Sequence, residues 1–102
     1  MDVFEAIGDS TRRRIIELVA QGPRPAGEVA GEFAISRPAV SQHLAALTDC
    51  GILRVHAQGR RRIYSLDDKA LAAPHNWLEE QRNRWNRALD RLEAEMAEEE
   101  EG

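Results

Sequence analysis

The sequence has 102 residues, with 14 basic and 18 acidic side chains and a formal net charge of -4. Its single cysteine, Cys50, excludes an intrachain disulfide framework, and no apolar run approaches a membrane span. The opening MDVFEAIGDS is acidic and lacks a basic region followed by an apolar one, so it does not read as a signal peptide; one soluble, cytoplasmic domain is expected.

In DVFEAI, Val3, Phe4 and Ile7 fall at helical spacing, and Gly8 ends that short helix. Asp9 or Ser10 can cap the next helix, TRRRIIELVA, whose apolar positions are Ile15, Ile16, Leu18 and Val19. The prolines of QGPRP stop it, because proline has no N–H to continue the ladder. AGEVAGEFAI reads as a short third helix, with Val29 and Phe33 four apart and two glycines that permit close packing. The fourth helix is SRPAVSQHLAALTDCG. Ser36 is its N-cap, Pro38 sits in the first turn, Val40, Leu44 and Leu47 form the buried stripe, and Gly51 is the stop.

ILRVHA and RRIYSL read as two strands joined by a tight turn at QGR, where Gly59 is free to take a positive φ. A long amphipathic helix follows. Leu78, Trp85 and Leu92 recur every seven residues, Leu89 and Met96 follow the same spacing offset, and Pro74 marks its start or a kink. The fold expected is mostly α with one β-hairpin: four helices, two strands and a final helix. The domain spans 1–97, with the fourth helix at about 36–50, the hairpin at about 52–66 and the last helix at about 74–97. Residues 98–102 are expected to be an acidic, disordered tail.

Charge is unevenly spread. Glu93 to Gly102 holds six glutamates and no basic residue, and without that segment the chain is at +2. Residues 37–62 hold Arg37, Arg54, Arg60, Arg61 and Arg62 against Asp49 alone, or +4. A polyanionic partner for the middle of the chain is therefore expected. At 100° per residue, the face of the fourth helix opposite its apolar stripe carries Pro38, Gln42, Ala45 and Asp49, flanked by Ala39, Ser41 and Ala46. Small residues allow close approach to another surface, and Gln42 can pair bidentately with adenine in a major groove. Ser36, Ser41 and His43 suit phosphate oxygens. With the third helix before it, this segment makes a helix-turn-helix, and the hairpin makes a wing. Arg60 and Arg61, nearest the tip, are assigned to DNA; Arg62 either joins them or lies back along the body. A second triplet, Arg12, Arg13 and Arg14, is open to phosphates, to nearby acids or to solvent, with the last two favoured.

The run SRPAVSQHLAALTDCGILRVHAQGRRRIYSL resembles the recognition helix and wing of the ArsR-type winged helix-turn-helix repressors. FEAIGDSTRRRIIELVAQGP resembles their opening segment, and the Trp-containing last helix resembles a dimerisation helix of some members, so the likeness covers roughly residues 2–96. The resemblance implies a cytoplasmic homodimer that binds a pseudo-palindromic operator and represses transcription. Many members release DNA on binding a metal or metalloid. The sensing members resemble one another in a cysteine pair on the third helix, where this chain has GEVAGEF. Others use His and acidic ligands on the terminal helix, where this chain has only His75 and Glu79. No metal site and no cofactor are expected, Cys50 reads as packing material, and the residues do not identify an inducer.

Two tryptophans on one helix are hard to hide inside a 102-residue monomer. Trp77, Leu78, Trp85, Leu89, Leu92 and Met96 therefore predict a partner helix, with Val3, Phe4 and Ile7 sharing the dimer interface. The leading expectation is a homodimeric, DNA-binding repressor with Ser36, Arg37, Ser41, Gln42, His43, Arg60, Arg61 and Arg62 at the DNA. The alternative is a winged-helix protein-interaction module without DNA binding. An enzyme is not expected: no nucleophile–base pair or phosphate-binding glycine loop occurs, and His43, His56 and His75 lie on three different elements.

Overall fold

The computed structural model describes residues 1–101. Its elements are α1 (Val3–Ile7), α2 (Ser10–Ala20), β1 (Arg24–Pro25), α3 (Ala26–Gly31), α4 (Arg37–Asp49), β2 (Leu53–Gln58), β3 (Arg61–Leu66), a 3-10 turn (Asp68–Leu71) and α5 (Ala72–Glu101). Where the sequence suggests one domain over 1–97, the chain divides into two compact units, Met1–Ala72 and the remainder, which is α5.

Local chemistry sets the helix ends of the first unit. Asp2 Oδ1 accepts from Glu5 N–H at 2.8 Å to start α1, and Asp9 Oδ2 accepts from Arg12 N–H at 2.9 Å to start α2. Asp9, not Ser10, is thus the second cap. The C-terminal carbonyls of α1 would otherwise lack partners. Arg12 Nε donates to Ala6 O at 3.1 Å, its Nη2 to Glu5 O at 3.2 Å, and Arg13 Nη1 to Ile7 O at 2.7 Å. Arg24 closes α2 in the same way, Nε donating to Leu18 O at 2.8 Å. Arginine at a helix C-terminus also meets the negative end of the macrodipole.

The core joins α1, α2, α3, α4 and the sheet. Ile15, Val29, Val40, Leu44, Leu47, Ile52 and Leu53 are its largest fully buried side chains, and half-buried Val3, Ile7, Ile16 and Phe33 pack against it. The sheet order is β1-β3-β2, all antiparallel. β1 escapes the sequence reading because two residues carry no periodicity; Arg24 lies opposite Tyr64 and Pro25 opposite Ile63. Strict strand alternation also breaks down, since the consecutive residues Ile63 and Tyr64 are both buried. α3 ends at Gly31, short of the FAI that sequence spacing adds to it, although Phe33 still reaches the core from the turn.

α5 begins at Ala72, with Pro74 in its first turn where no intrahelical N–H is needed. The expected disordered tail at 98–102 is corrected over its described part: the helix continues through the glutamates to Glu101, and Gly102 lies outside the described residues. Glutamate is a good helix former, and no glycine or proline interrupts the segment. None of the described helices is long and apolar enough to cross a membrane.

The Asp9 carboxyl is held below its ordinary value of 3.8, first by the hydrogen bond from Arg12 N–H, with smaller contributions from the Arg12 guanidinium and the His43 imidazole and some opposing desolvation. A depressed carboxyl stabilises the fold above its unfolded value and loses that contribution as the pH falls through the lower folded value. Asp9→Asn should therefore be less stable than the parent at pH 7. The difference between the two urea midpoints should shrink towards zero as the pH falls below about 3.8.

Candidate nucleic-acid interface

α4 is oriented by burial. Val40, Leu44 and Leu47 are all at most 1% exposed, which commits one face to the core and turns Arg37, Pro38, Ser41, Gln42, Ala45 and Asp49 to solvent. The helix starts at Ser36, whose Oγ accepts from Ala39 N–H at 3.3 Å. That bond consumes the Ala39 N–H, and Pro38 has none, so within the first turn only the Arg37 N–H is left for an anion at the positive end of the helix. Gln42 is exposed at the centre of the free face, one position from Ser41. His43 is half-buried at the edge of the apolar stripe of α4, and its imidazole contributes a little to lowering the Asp9 carboxyl. Arg37 makes no ion pair among the described residues.

The wing is fixed by register. Gln58 pairs with Arg61, leaving Gly59 and Arg60 as a two-residue loop. Gly59 has φ +64° and no non-glycine residue has a positive φ, which are the signs a type II′ turn requires. Its geometry puts Arg60 at the tip, exposed and without an ion pair among the described residues. Arg62 lies opposite Ala57 and is likewise exposed and unpaired there. The arginine of the run with an acidic neighbour on the body is Arg61, 4.0 Å from Glu28 Oε1 of α3, where distance from the tip suggested Arg62. Both partners are exposed, so the contact is loose. Pro25, Ala26, Gly27 and Glu28 face the three arginines across a groove of about 480 Å³.

The other arginines sort differently. Arg54, counted with the basic segment, is tied to Asp67 Oδ2 through Nε at 3.1 Å and Nη2 at 2.9 Å. Arg12 and Arg13 cap α1, and Arg14 meets Glu17 at 3.3 Å. Sequence reasoning passed over Ile35, which stands 42% exposed in the turn just before Ser36, because a lone apolar residue between helices carries no periodic signal.

α5, taken by itself, exposes Trp77, Leu78, Trp85, Leu92 and Met96, each more than half, while Leu89 is half-buried. His75 and Glu79 are exposed on the same helix, and no cluster of three or more potential metal ligands occurs among the described residues. Phe4 of α1 is 43% exposed, while Val3 and Ile7 pack partly against the core. The Cys50 thiol donates to Leu47 O at 3.4 Å.

Residues 9–55 match the family described as bacterial regulatory protein, arsR family. The chain is 43% identical over 86 residues to the HTH-type transcriptional regulator Rv2034 of Mycobacterium tuberculosis, covering 84% of this chain and 78% of that one. It is 39% identical over 77 residues to the transcriptional repressor SdpR of Bacillus subtilis, covering 76% and 86% respectively. A crystal structure of an ArsR family transcriptional regulator superposes with a TM-score of 0.76 at 34% identity, covering 81% of this chain and 91% of that one.

The turn that aims Arg60 is open to a direct check. A side chain at Gly59 meets no neighbour within 4 Å, so the obstacle there is backbone conformation alone. Gly59→Ala should lower stability by about 1–2 kcal/mol in urea denaturation through the left-handed backbone it must adopt. Ala57→Ser, on a strand of the same hairpin, should leave the midpoint nearly unchanged.

Proposed function

The chain belongs to the ArsR family of bacterial regulatory proteins, and on that premise we propose that it acts as a homodimeric repressor reading a two-fold symmetric operator. It is a DNA-binding transcriptional regulator with a winged helix-turn-helix fold, and family membership sets aside the protein-interaction module without DNA binding. Repression is the activity named for SdpR and comes to this chain as part of the proposal. A cytoplasmic location is part of the proposal, since a bacterial regulator meets its DNA there.

One observation carries the residue assignment: a free face on α4 with Gln42 at its centre, beside a wing whose Arg60 and Arg62 have no ion pair among the described residues. A major groove about 12 Å wide admits a helix. The 13 residues of α4 have only small or short polar side chains where bases would approach. In this reading Gln42 and Ser41 meet base edges. Arg37, Arg60 and Arg62 meet phosphates, and Ser36 sets the helix N-terminus against another. Arg61 joins them by leaving its loose contact with Glu28. His43, half-buried at the edge of α4, is assigned to a phosphate.

Dimerisation is supported by α5. Leu78, Trp85, Leu92 and Met96 fall within about 40° of one another on the helical wheel, each more than half exposed. An apolar stripe on a 30-residue helix needs a partner surface, and a second copy supplies one. Phe4, Val3 and Ile7 of α1, with Trp77 and Leu89, complete the proposed interface. No metal-gated release is assigned, since α3 contains no cysteine.

Binding to an operator selected from a random library, followed by fluorescence anisotropy, tests the assignment. Arg60→Ala should weaken binding to every sequence and reduce the slope of log K against log salt by about 1.8 for a dimer, one phosphate per chain. Gln42→Ala should cost about 1–3 kcal/mol on the selected site and much less on variants changed at its adenine. An equal loss on all sequences would remove Gln42 from base reading. In sedimentation experiments Trp85→Glu should shift the chain from dimer to monomer.

A further inference from the structure

Glu28 carries the wrong sign for a surface that meets phosphates. It lies in the first turn of α3, across the groove from Arg60, Arg61 and Arg62, and it is the acid among the described residues lining that groove. Its carboxylate is 4.0 Å from Arg61 Nη2, with the Arg61 side chain 62% and the Glu28 side chain 59% exposed.

Local structure does not call for this charge. A glutamate at the third position of a helix ordinarily reaches back to the N–H of the capping residue. Here the cap is Pro25, which has no N–H and makes no side-chain capping bond. The macrodipole gives an exposed acid a small gain at most, and α3 has six residues. The floor of the groove, by contrast, leads from the wing to α4. Ala26 and Gly27 line both this groove and a smaller one, of about 170 Å³, which Arg37 and Ser41 also line. A side chain at Gly27 would meet nothing within 4 Å, so the surface between the two sets of basic residues is open. A phosphate taken by the Arg61 guanidinium at about 2.8 Å would lie inside the Debye length of about 8 Å from the Glu28 carboxylate. Like charges at that separation repel with little screening.

We propose that Glu28 competes with DNA phosphate for Arg61 and so holds down the affinity of the protein for every duplex. This rests on the DNA-binding reading above, in which Arg61 reaches a phosphate by leaving Glu28. An exposed pair at this distance is weak enough to be given up on binding. Its loss, and the repulsion between carboxylate and phosphate that follows, both oppose the complex. Phosphates carry no sequence information, so the opposition is the same on all sequences. Sequence reading stays with Gln42 and Ser41, and Glu28 sets how much affinity the wing adds.

Fluorescence anisotropy on the full-length chain tests this with two labelled duplexes, the selected operator and an unrelated sequence of the same length. Glu28→Gln should tighten binding to both by about three- to tenfold at about 0.1 M salt. It should also steepen the slope of log K against log salt by up to about 1.8 for a dimer. Glu28→Ala should act in the same direction, and the urea midpoints of both variants should stay near the parent's. Glu17→Gln removes one charge from the exposed pair with Arg14 on α2 and should leave both affinities near the parent's. In an Arg61→Ala background the gain from Glu28→Gln should shrink to well under half. A gain of full size there makes Glu28 a general surface charge and overturns the competition for Arg61. Unchanged or weaker binding by Glu28→Gln, with Arg60→Ala still weakening it, overturns the proposal and leaves the DNA-binding reading standing. A parent chain that binds neither duplex at any salt overturns both.

Discussion

Burial of Val40, Leu44 and Leu47 is the constraint on which the rest of the proposed DNA-facing surface depends. These three residues lie on one side of α4 and pack with Ile15, Val29, Ile52 and Tyr64 in a single core. Rotating the helix by one residue would swing this stripe about 100° towards solvent. At about 1.5–3 kcal/mol per large side chain, such a rotation would cost several kcal/mol, a large part of the stability of a domain this size. The outward direction of Gln42 is therefore set by residues that never meet DNA. The capping bond at Ser36 fixes where the helix begins, and the glycine turn at Gly59 fixes where the wing reverses.

Hydrogen bonding then decides which arginines are free. Arg12 and Arg13 are spent on the carbonyls ending α1, Arg24 on the end of α2 and Arg54 on Asp67. Helix ends in a domain this small have few alternatives, because each terminal carbonyl needs a donor and short helices have proportionally many such groups. Among the arginines of the first unit, what remains for a polyanion is Arg37, Arg60 and Arg62, with Arg61 loosely held by Glu28. A net charge of -4 does not oppose this, since charges beyond about 8 Å are screened at physiological salt. Local arrangement outweighs the total.

The sequence made α4 and the hairpin legible because each combines a period with a punctuation mark. α4 has a stripe at positions 40, 44 and 47 between Ser36 and Gly51; the hairpin has two β-rich runs around Gly59. β1 was invisible because two residues cannot show a period. The end of α3 was misread because Val29 and Phe33 both reach the core, one from the helix and one from the turn. Arg61 and Arg62 could not be sorted by nearness to the tip, since the acid that distinguishes them, Glu28, is more than 30 residues away in sequence. The glutamate run suggested disorder by composition, yet its intrinsic preference is helical and it extends a helix already nucleated upstream. The solvent-facing side of α4 was legible because Ser41, Gln42 and Asp49 lie opposite its apolar stripe.

A site with so few free cations depends on duplication. Three or four phosphate contacts per chain correspond to a salt slope of roughly 3, and a dimer doubles it. Binding two half-sites through one rigid pair turns the second contact into an intramolecular event with a high effective concentration. Operator affinity and α5 pairing are consequently linked: DNA that binds the dimer better than the monomer must also stabilise the dimer, by the same factor. A chain of this kind can be regulated without a ligand at the DNA face. On the proposed dimer, anything that competes for the stripe of Leu78, Trp85, Leu92 and Met96 would act on DNA binding through the protomer equilibrium.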